Sequence, residues 1–326
     1  MAIRALITGA SGFIGSHLVG RLSRSGWEVS ASVHRKAPTP AGSTVEWFQG
    51  DICNPDGFRG RLADVDYVFH VAGAIRGRKK QDFDEVNHGG TSRLLDAVEG
   101  ECRSLRRFVY VSSLAAGGPN PGKDALDESD PARPIDMYGR SKLAAEEECL
   151  ARRSRVPITI VRPPLVFGPG DTSSYQLFRL VRNHLRVVLW GPERLYSWIY
   201  IDDLVVGLIR AAMTPISSGE VLYLTAPSVV GWGELQSCIA EALGIRTLRV
   251  TIPYGALLAY GALAEIIGAL SGVAPLVYRD KARQARPLAW TCSGGKAERL
   301  LDFRTDIALD AAVATSAAWY ARAGWL

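Results

Sequence analysis

Short apolar runs alternate with helical patterns through the first half of the chain. The segments IRALITG, WEVSASV, VEWFQGD, VDYVFHVAG, RRFVYVSS and ITIVRPP each hold a cluster of apolar and β-branched residues, as strands buried on both faces require. Helical periodicity covers residues 12–24, 84–99 and 136–153. Strands separated by helices imply right-handed crossovers and a parallel sheet covered on both sides. The expected fold class is therefore α/β: a doubly wound parallel sheet with a smaller, mostly helical C-terminal lobe. Residues 1–165 are assigned to the sheet domain, to which 200–225 return, and 166–326 to the lobe.

Beyond Pro163 the alternation loosens. Gly and Pro punctuate PPLVFGPGDTSSY, and SWIYIDDLVVGLIRAAM predicts a short extended piece followed by a helix capped by Asp202 or Asp203. The segment IPYGALLAYGALAEIIGALSGVAPL carries one charge, Glu265, and precedes YRDKARQAR. Two expectations fit it: a buried or pocket-lining helix, its uninterrupted apolar stretch being too short to span a bilayer, or an interfacial helix. In the second case Arg279, Lys281, Arg283 and Arg286 would lie near anionic headgroups, a peripheral membrane contact through 253–286.

Composition narrows the class. With 326 residues, 47% hydrophobic and 22% charged, the chain can bury a large core and is neither disordered nor fibrous. The net charge of +5 is spread through helices and loops, which suits a phosphate-bearing ligand but falls short of a nucleic-acid footprint. Cys53, Cys102, Cys149, Cys238 and Cys292 stand alone, without metal-ligand spacing, so neither a disulfide framework nor a metal site is expected. The first strand begins at Ile3, leaving no room for a signal peptide, and the expected location is the cytoplasm.

A strand, a G-x-x-G-x-x-G loop and a helix, in that order, make a dinucleotide site. Gly9, Gly12 and Gly15 let the backbone approach a pyrophosphate, and Ser11, Phe13 and Ile14 offer backbone donors at a helix N-terminus. The second strand ends SVHRK. His34, Arg35 and Lys36 supply no carboxylate for a ribose 2′-hydroxyl, so NADP(H) is preferred, with Arg35 the leading phosphate contact and NAD(H) possible. A solvated loop is the competing account of these charges.

MYGRSKLAAEEE places Tyr138 and Lys142 four apart on one helix face. A nearby ammonium favours the phenolate, which would make the pair a general acid/base. Upstream, FVYVSSLAAGGPN brings Ser112 and Ser113 to the C-terminal edge of the sheet, where such folds bind ligands.

Together these residues resemble an extended short-chain dehydrogenase/reductase of the epimerase/dehydratase superfamily, nearest to its hydroxysteroid dehydrogenase and dihydroflavonol reductase-like branch. The resemblance rests on TGASGFIG, GDI, HVAG, VNHGGT, VSSLAAGG, YGRSK, RPPLVFGPGD and YIDDLV, in family order over about two thirds of the chain. It implies that Tyr138 exchanges the proton, that Lys142 binds nicotinamide ribose hydroxyls while lowering the Tyr138 pKa, and that Ser113 hydrogen-bonds the reacting oxygen. It further implies cofactor contacts at Asp51, Ile52, Ala72, Gly73, Asn87, Val111, Pro163 and Val166; for Asn87 a purely structural role fits equally.

Two departures bear on the substrate. His88 and Gly89 stand where the family has an apolar residue. Pro163 and Pro164 replace the Asn with which nucleotide-sugar enzymes reach the diphosphate, and proline has no donor. The expected activity is interconversion of a secondary alcohol and a ketone on a bulky apolar substrate. A sugar or nucleotide-sugar epimerase/dehydratase with tightly bound NAD is the alternative, and a catalytically silent dinucleotide-binding regulator a third. Arg76, Arg78, Lys79 and Lys80 form a solvated loop or attract an acidic substrate such as a coenzyme A thioester. His70 is expected to be a satisfied core residue, and the helices over 84–99 and 138–153 offer a homodimer interface by family resemblance.

Overall fold

The computed structural model describes residues 2–34, 44–77, 79–122, 124–271 and 279–326. Arg35, Lys36 and Arg78 fall outside the described residues.

The first strand, β1 (Arg4–Thr8), is buried along most of its length and feeds α1 (Phe13–Arg24), whose inward stripe is Gly15, Leu18, Val19 and Leu22. There follow β2 (Glu28–Val33), β3 (Val45–Gln49) and β4 (Tyr67–His70). A short helix α2 (Lys80–Phe83) runs through a π-helical turn, Asp84–Gly89, into α3 (Gly90–Glu101). The sequence pattern predicts one regular helix here. The wider turn carries Asn87 inward, where backbone groups take up its side chain. Next come β5 (Arg107–Val111), the single turn α4 (Leu114–Gly117), α5 (Met137–Ala151) and β6 (Ile158–Arg162).

The remaining chain supplies β7 (Leu165–Phe167), α6 (Thr172–Arg182), β8 (Leu185–Leu189), β9 (Leu195–Tyr200), α7 (Ile201–Met213) and β10 (Glu220–Tyr223). It ends with β11 (Val229–Gly231), α8 (Trp232–Ala242), β12 (Leu248–Ile252), α9 (Tyr254–Ser271), α10 (Arg279–Gln284), β13 (Ala289–Trp290), α11 (Gly295–Leu301) and α12 (Leu309–Arg322). Asp202 and Asp203 do not cap α7: Tyr200 takes that position, and the two carboxylates lie in the first turn, where the helix dipole still favours them.

Seven strands form one parallel sheet in the order β10-β6-β5-β4-β1-β2-β3. The strand order reverses between β1 and β4, and the crevice beyond their C-terminal ends is where open α/β sheets take ligands. Two small sheets accompany the helices of the C-terminal half, an addition to the sequence expectation. In one, β9 pairs with β7, β11 and β13; in the other, β8 pairs with β12.

Candidate active site

Gly9 takes a positive φ of 68° directly after β1, a conformation that disfavours any side chain. A Cβ there would lie 2.7 Å from the Ala72 backbone at the end of β4, and one at Gly15 would strike the Gly9 carbonyl. Gly12 begins α1 with no side-chain cap, so the helix presents the N–H groups of its first turn to the crevice. These three glycines form a cradle that a side chain would fill, as a pyrophosphate requires.

The strand ends around the cradle are locked by an unbroken chain of hydrogen bonds. The Ala72 N–H donates to Thr8 Oγ1 at 3.1 Å, and Thr8 Oγ1 meets His70 Nδ1 at 2.7 Å. His70 Nε2 meets Thr91 Oγ1 at 2.9 Å, while Thr91 donates its hydroxyl hydrogen to the Asn87 carbonyl at 2.5 Å. With that hydrogen committed, Nε2 must be the donor to Thr91. Burial, with the Lys142 charge adding to it, pushes the His70 pKa down to about 3. His70 is therefore the satisfied core residue that its strand position implies.

Asn87 is also satisfied by protein groups. Its Oδ1 accepts from the Ala74 N–H at 2.7 Å, and its Nδ2 donates to the Ala74 carbonyl at 3.0 Å and to Ser141 Oγ at 2.8 Å. The side chain ties the loop after β4 to α5, the structural role. Gly73 lies between them, where an added Cβ would sit 2.9 Å from Asn87 Oδ1 and 3.7 Å from Lys142 Nζ.

Asp136 caps α5 by accepting from the Gly139 N–H at 2.5 Å, which fixes the turn carrying Tyr138. A Cβ at Gly139 would collide with the Ala115 carbonyl, so α5 presses against the turn that follows Ser113. Tyr138 is half-buried and packs edge-on against Phe83, with ring centroids 6.3 Å apart. Burial pushes its pKa up to about 12, while a hydrogen bond with the Ser113 side chain acts in the opposite direction. The expected lowering by Lys142 is absent. The Lys142 ammonium instead donates to the Val111 carbonyl at 2.7 Å and lies 4.4 Å over the Tyr110 ring. Its own pKa falls to about 8, because burial outweighs the nearby Glu146 carboxylate.

The other sequence candidates are dispersed. His34 is exposed at the end of β2, its Nδ1 3.6 Å from Asp51 Oδ2. Asp51 also accepts from the Cys53 N–H at 2.9 Å, whereas the Ile52 side chain turns into the core against Gly90. The Pro163 carbonyl accepts from the Leu114 N–H at 2.8 Å, and Val166 lies in β7, paired with Ile199.

Sequence reasoning missed the polar network beneath the site. Ser112 donates to Glu146, and Arg162 donates to Glu146 and, at 3.1 Å, to the Tyr223 hydroxyl. The available signal was spacing: Glu146 follows Lys142 at the same four-residue interval that separates Lys142 from Tyr138.

Comparison with known proteins agrees with this geometry. The model of the NAD dependent epimerase/dehydratase family matches residues 5–222. A ceramide reductase from Caulobacter vibrioides is 29% identical over 98% of this chain and 95% of its own. Sterol demethylase protein B from Methylococcus capsulatus is 33% identical over 76% of this chain and 77% of its own. Among solved structures, MoeE5 in complex with UDP-glucuronic acid and NAD superposes with a TM-score of 0.78 at 26% identity, covering 98% of this chain and 99% of that one. The protein is an NAD(P)-dependent enzyme of the oxidoreductase type.

Proposed function

The chain belongs to the NAD dependent epimerase/dehydratase family, and we propose that within it the protein is an NADP(H)-dependent oxidoreductase acting on a bulky, apolar secondary alcohol or ketone. The observation that carries this reading is the close packing of the turn that follows Ser113 against the first turn of α5, which carries Tyr138, at the C-terminal edge of β5, beside a β6 end built of Pro163 and Pro164. The first pair supplies acid/base chemistry at one oxygen. The second offers no side-chain donor to a sugar diphosphate.

The glycine cradle fits a dinucleotide, which supplies hydride when bound. The α1 N-terminus would hold its pyrophosphate, and His34, Arg35 and Lys36 are the residues that would take a 2′-phosphate. Tyr138, protonated at neutral pH like any phenol and held so more firmly by burial, gives a proton to the substrate oxygen in the reductive direction. Ser113 donates a hydrogen bond to that oxygen and stabilises the charge that develops on it. Lys142, one helical turn from Tyr138 and held by the Val111 carbonyl, would be the residue to bind the nicotinamide ribose hydroxyls.

The names of two relatives, a ceramide reductase and a sterol demethylase component, support an apolar lipid substrate. A second reading, a nucleotide-sugar enzyme with tightly held NAD, draws support from the likeness to MoeE5. Net cofactor consumption separates the two. NADPH oxidation is measured against cyclic and long-chain ketones, with NADH and UDP-hexoses in parallel. Steady consumption with an apolar ketone is expected, and sugar conversion without net consumption would overturn the proposal.

A further inference from the structure

The apolar segment that begins at Ile252 forms α9, and its outward face has no protein partner among the described residues. Tyr260, Leu263, Ile266 and Ile267 recur along one side of the helix and are 59%, 56%, 60% and 55% exposed. Trp190, 76% exposed, stands near the start of the same helix, its backbone N–H donating to the Ile252 carbonyl at 2.9 Å. An apolar surface of this extent on a folded chain marks an interaction site.

The charges on and beside this helix are mostly positive: Arg249, Arg279, Lys281, Arg283 and Arg286 against Glu265 and Asp280. Glu265, the one charged residue in α9, lies on the other side of the helix and accepts from the Arg279 N–H at 2.8 Å and from its Nε at 2.7 Å. Arg249 in β12 and Arg286 just beyond α10 are exposed and have no carboxylate partner within 4 Å among the described residues, whereas the Lys281 charge is shared with Asp136. Large apolar side chains with Trp and Tyr among them, on elements that carry more cations than carboxylates, complement an anionic lipid surface. Among the described residues no helix is long and apolar enough to cross a membrane, so such contact would be peripheral.

The stripe is also joined to the candidate active site. Arg279 connects α9 to α10; Asp280 in α10 accepts from the Met137 N–H at 2.8 Å, and Gln284 donates to the Asp136 carboxylate. Thus α10 bridges the apolar face and the first turn of the helix that carries Tyr138. We propose that the outward face of α9, with Trp190, docks on an anionic lipid bilayer. Resting on the function proposed above, docking brings the turn carrying Tyr138 to the surface from which an apolar substrate partitions.

The test is sedimentation of the full chain with phosphatidylcholine vesicles, with and without phosphatidylglycerol. The protein is expected to pellet with the anionic vesicles and to be released by salt. Leu263→Glu combined with Ile267→Glu should lower the bound fraction by about 10-fold or more, because it places two charges in the apolar contact. Its thermal melting and dinucleotide binding should stay unchanged, since neither residue touches the site. Wild-type protein that ignores both vesicle types, or a variant that binds as well as wild type, would overturn the proposal. So would a dimer that the variant converts to monomer, which would make the stripe an interface between copies. Vesicle binding needs no turnover, so a failed ketone assay and a failed docking assay remain distinct results.

Discussion

Arg162 and Glu146 meet through a two-pronged contact beneath the candidate active site, with Nε 2.9 Å from Oε1 and Nη2 2.6 Å from Oε2. Both side chains are almost wholly buried. Ser112 and Tyr223 complete the cluster, so one carboxylate and one guanidinium join β5, α5, β6 and β10. Removing one partner leaves an uncompensated buried charge, and Glu146→Ala should cost about 3–5 kcal/mol in chemical denaturation. Glu146→Leu with Arg162→Met should recover most of that loss. Equal instability of the single and double variants would show that the cost is not that of an unpaired buried charge.

The same carboxylate bears on Lys142, whose pKa it raises against the effect of burial. Glu146→Gln should therefore lower the Lys142 pKa further. If the ammonium helps to hold the dinucleotide, the alkaline loss of binding near pH 8 moves to lower pH in this variant. Fluorescence titration of dinucleotide affinity against pH checks this; an unmoved profile means that Lys142 is not the titrating group.

Tyr138→Phe removes the proposed proton donor without altering the glycine cradle. Turnover should fall by about 10²–10⁴-fold while dinucleotide affinity changes little. Ser113→Ala should lower kcat more than it raises KM, because its hydrogen bond matters most as charge develops. A rate for Tyr138→Phe within a few-fold of wild type would remove Tyr138 from the mechanism.

His70 gives a pH dependence of stability with a defined sign. Its folded pKa, about 3, lies below the unfolded value near 6.5, so the unfolded chain binds the extra proton as pH falls between them. The stabilisation is complete above about pH 6.5 and declines below it, by up to about 1.4 kcal/mol per pH unit. His70→Gln should be less stable at neutral pH but show a shallower decline between pH 6 and 4. Parallel stability curves would mean that other groups govern acid unfolding.

Gly9 offers a steric test. An alanine there must adopt a φ of 68° and place its Cβ 2.7 Å from the Ala72 backbone, so Gly9→Ala should abolish dinucleotide binding and lower the melting temperature. Gly100, where nothing lies within 4 Å of an added Cβ, is the control, and Gly100→Ala should leave binding intact.

The sheet was legible because its strands are buried on both faces and read as apolar runs, and because Gly9, Gly12 and Gly15 stand at fixed places between a strand and a helix. Tyr138 and Lys142 were legible through their spacing. Glu146 was not, because the inward side of α5 carries Ser141, Lys142 and Glu146 in place of a simple apolar stripe, and periodicity finds only apolar stripes. The π-helical turn was hidden for a related reason: the contact of Asn87 with Ala74 that accompanies it becomes visible only after folding. The influence of Lys142 on Tyr138 failed because spacing gives neighbours on a helix face but not where a flexible ammonium comes to rest.

The bridge between α10 and α5 has a consequence for biosynthesis. The N–H of Met137, next to Tyr138, finds its acceptor in Asp280, and Asp136 finds Gln284, both encoded more than 140 positions later. A chain emerging from the ribosome can thread its first six sheet strands and form its glycine cradle well before that partner exists. The turn that presents Tyr138 gains its last support only after residues 280–284 have been made, so cofactor affinity should precede chemical competence in the life of each molecule.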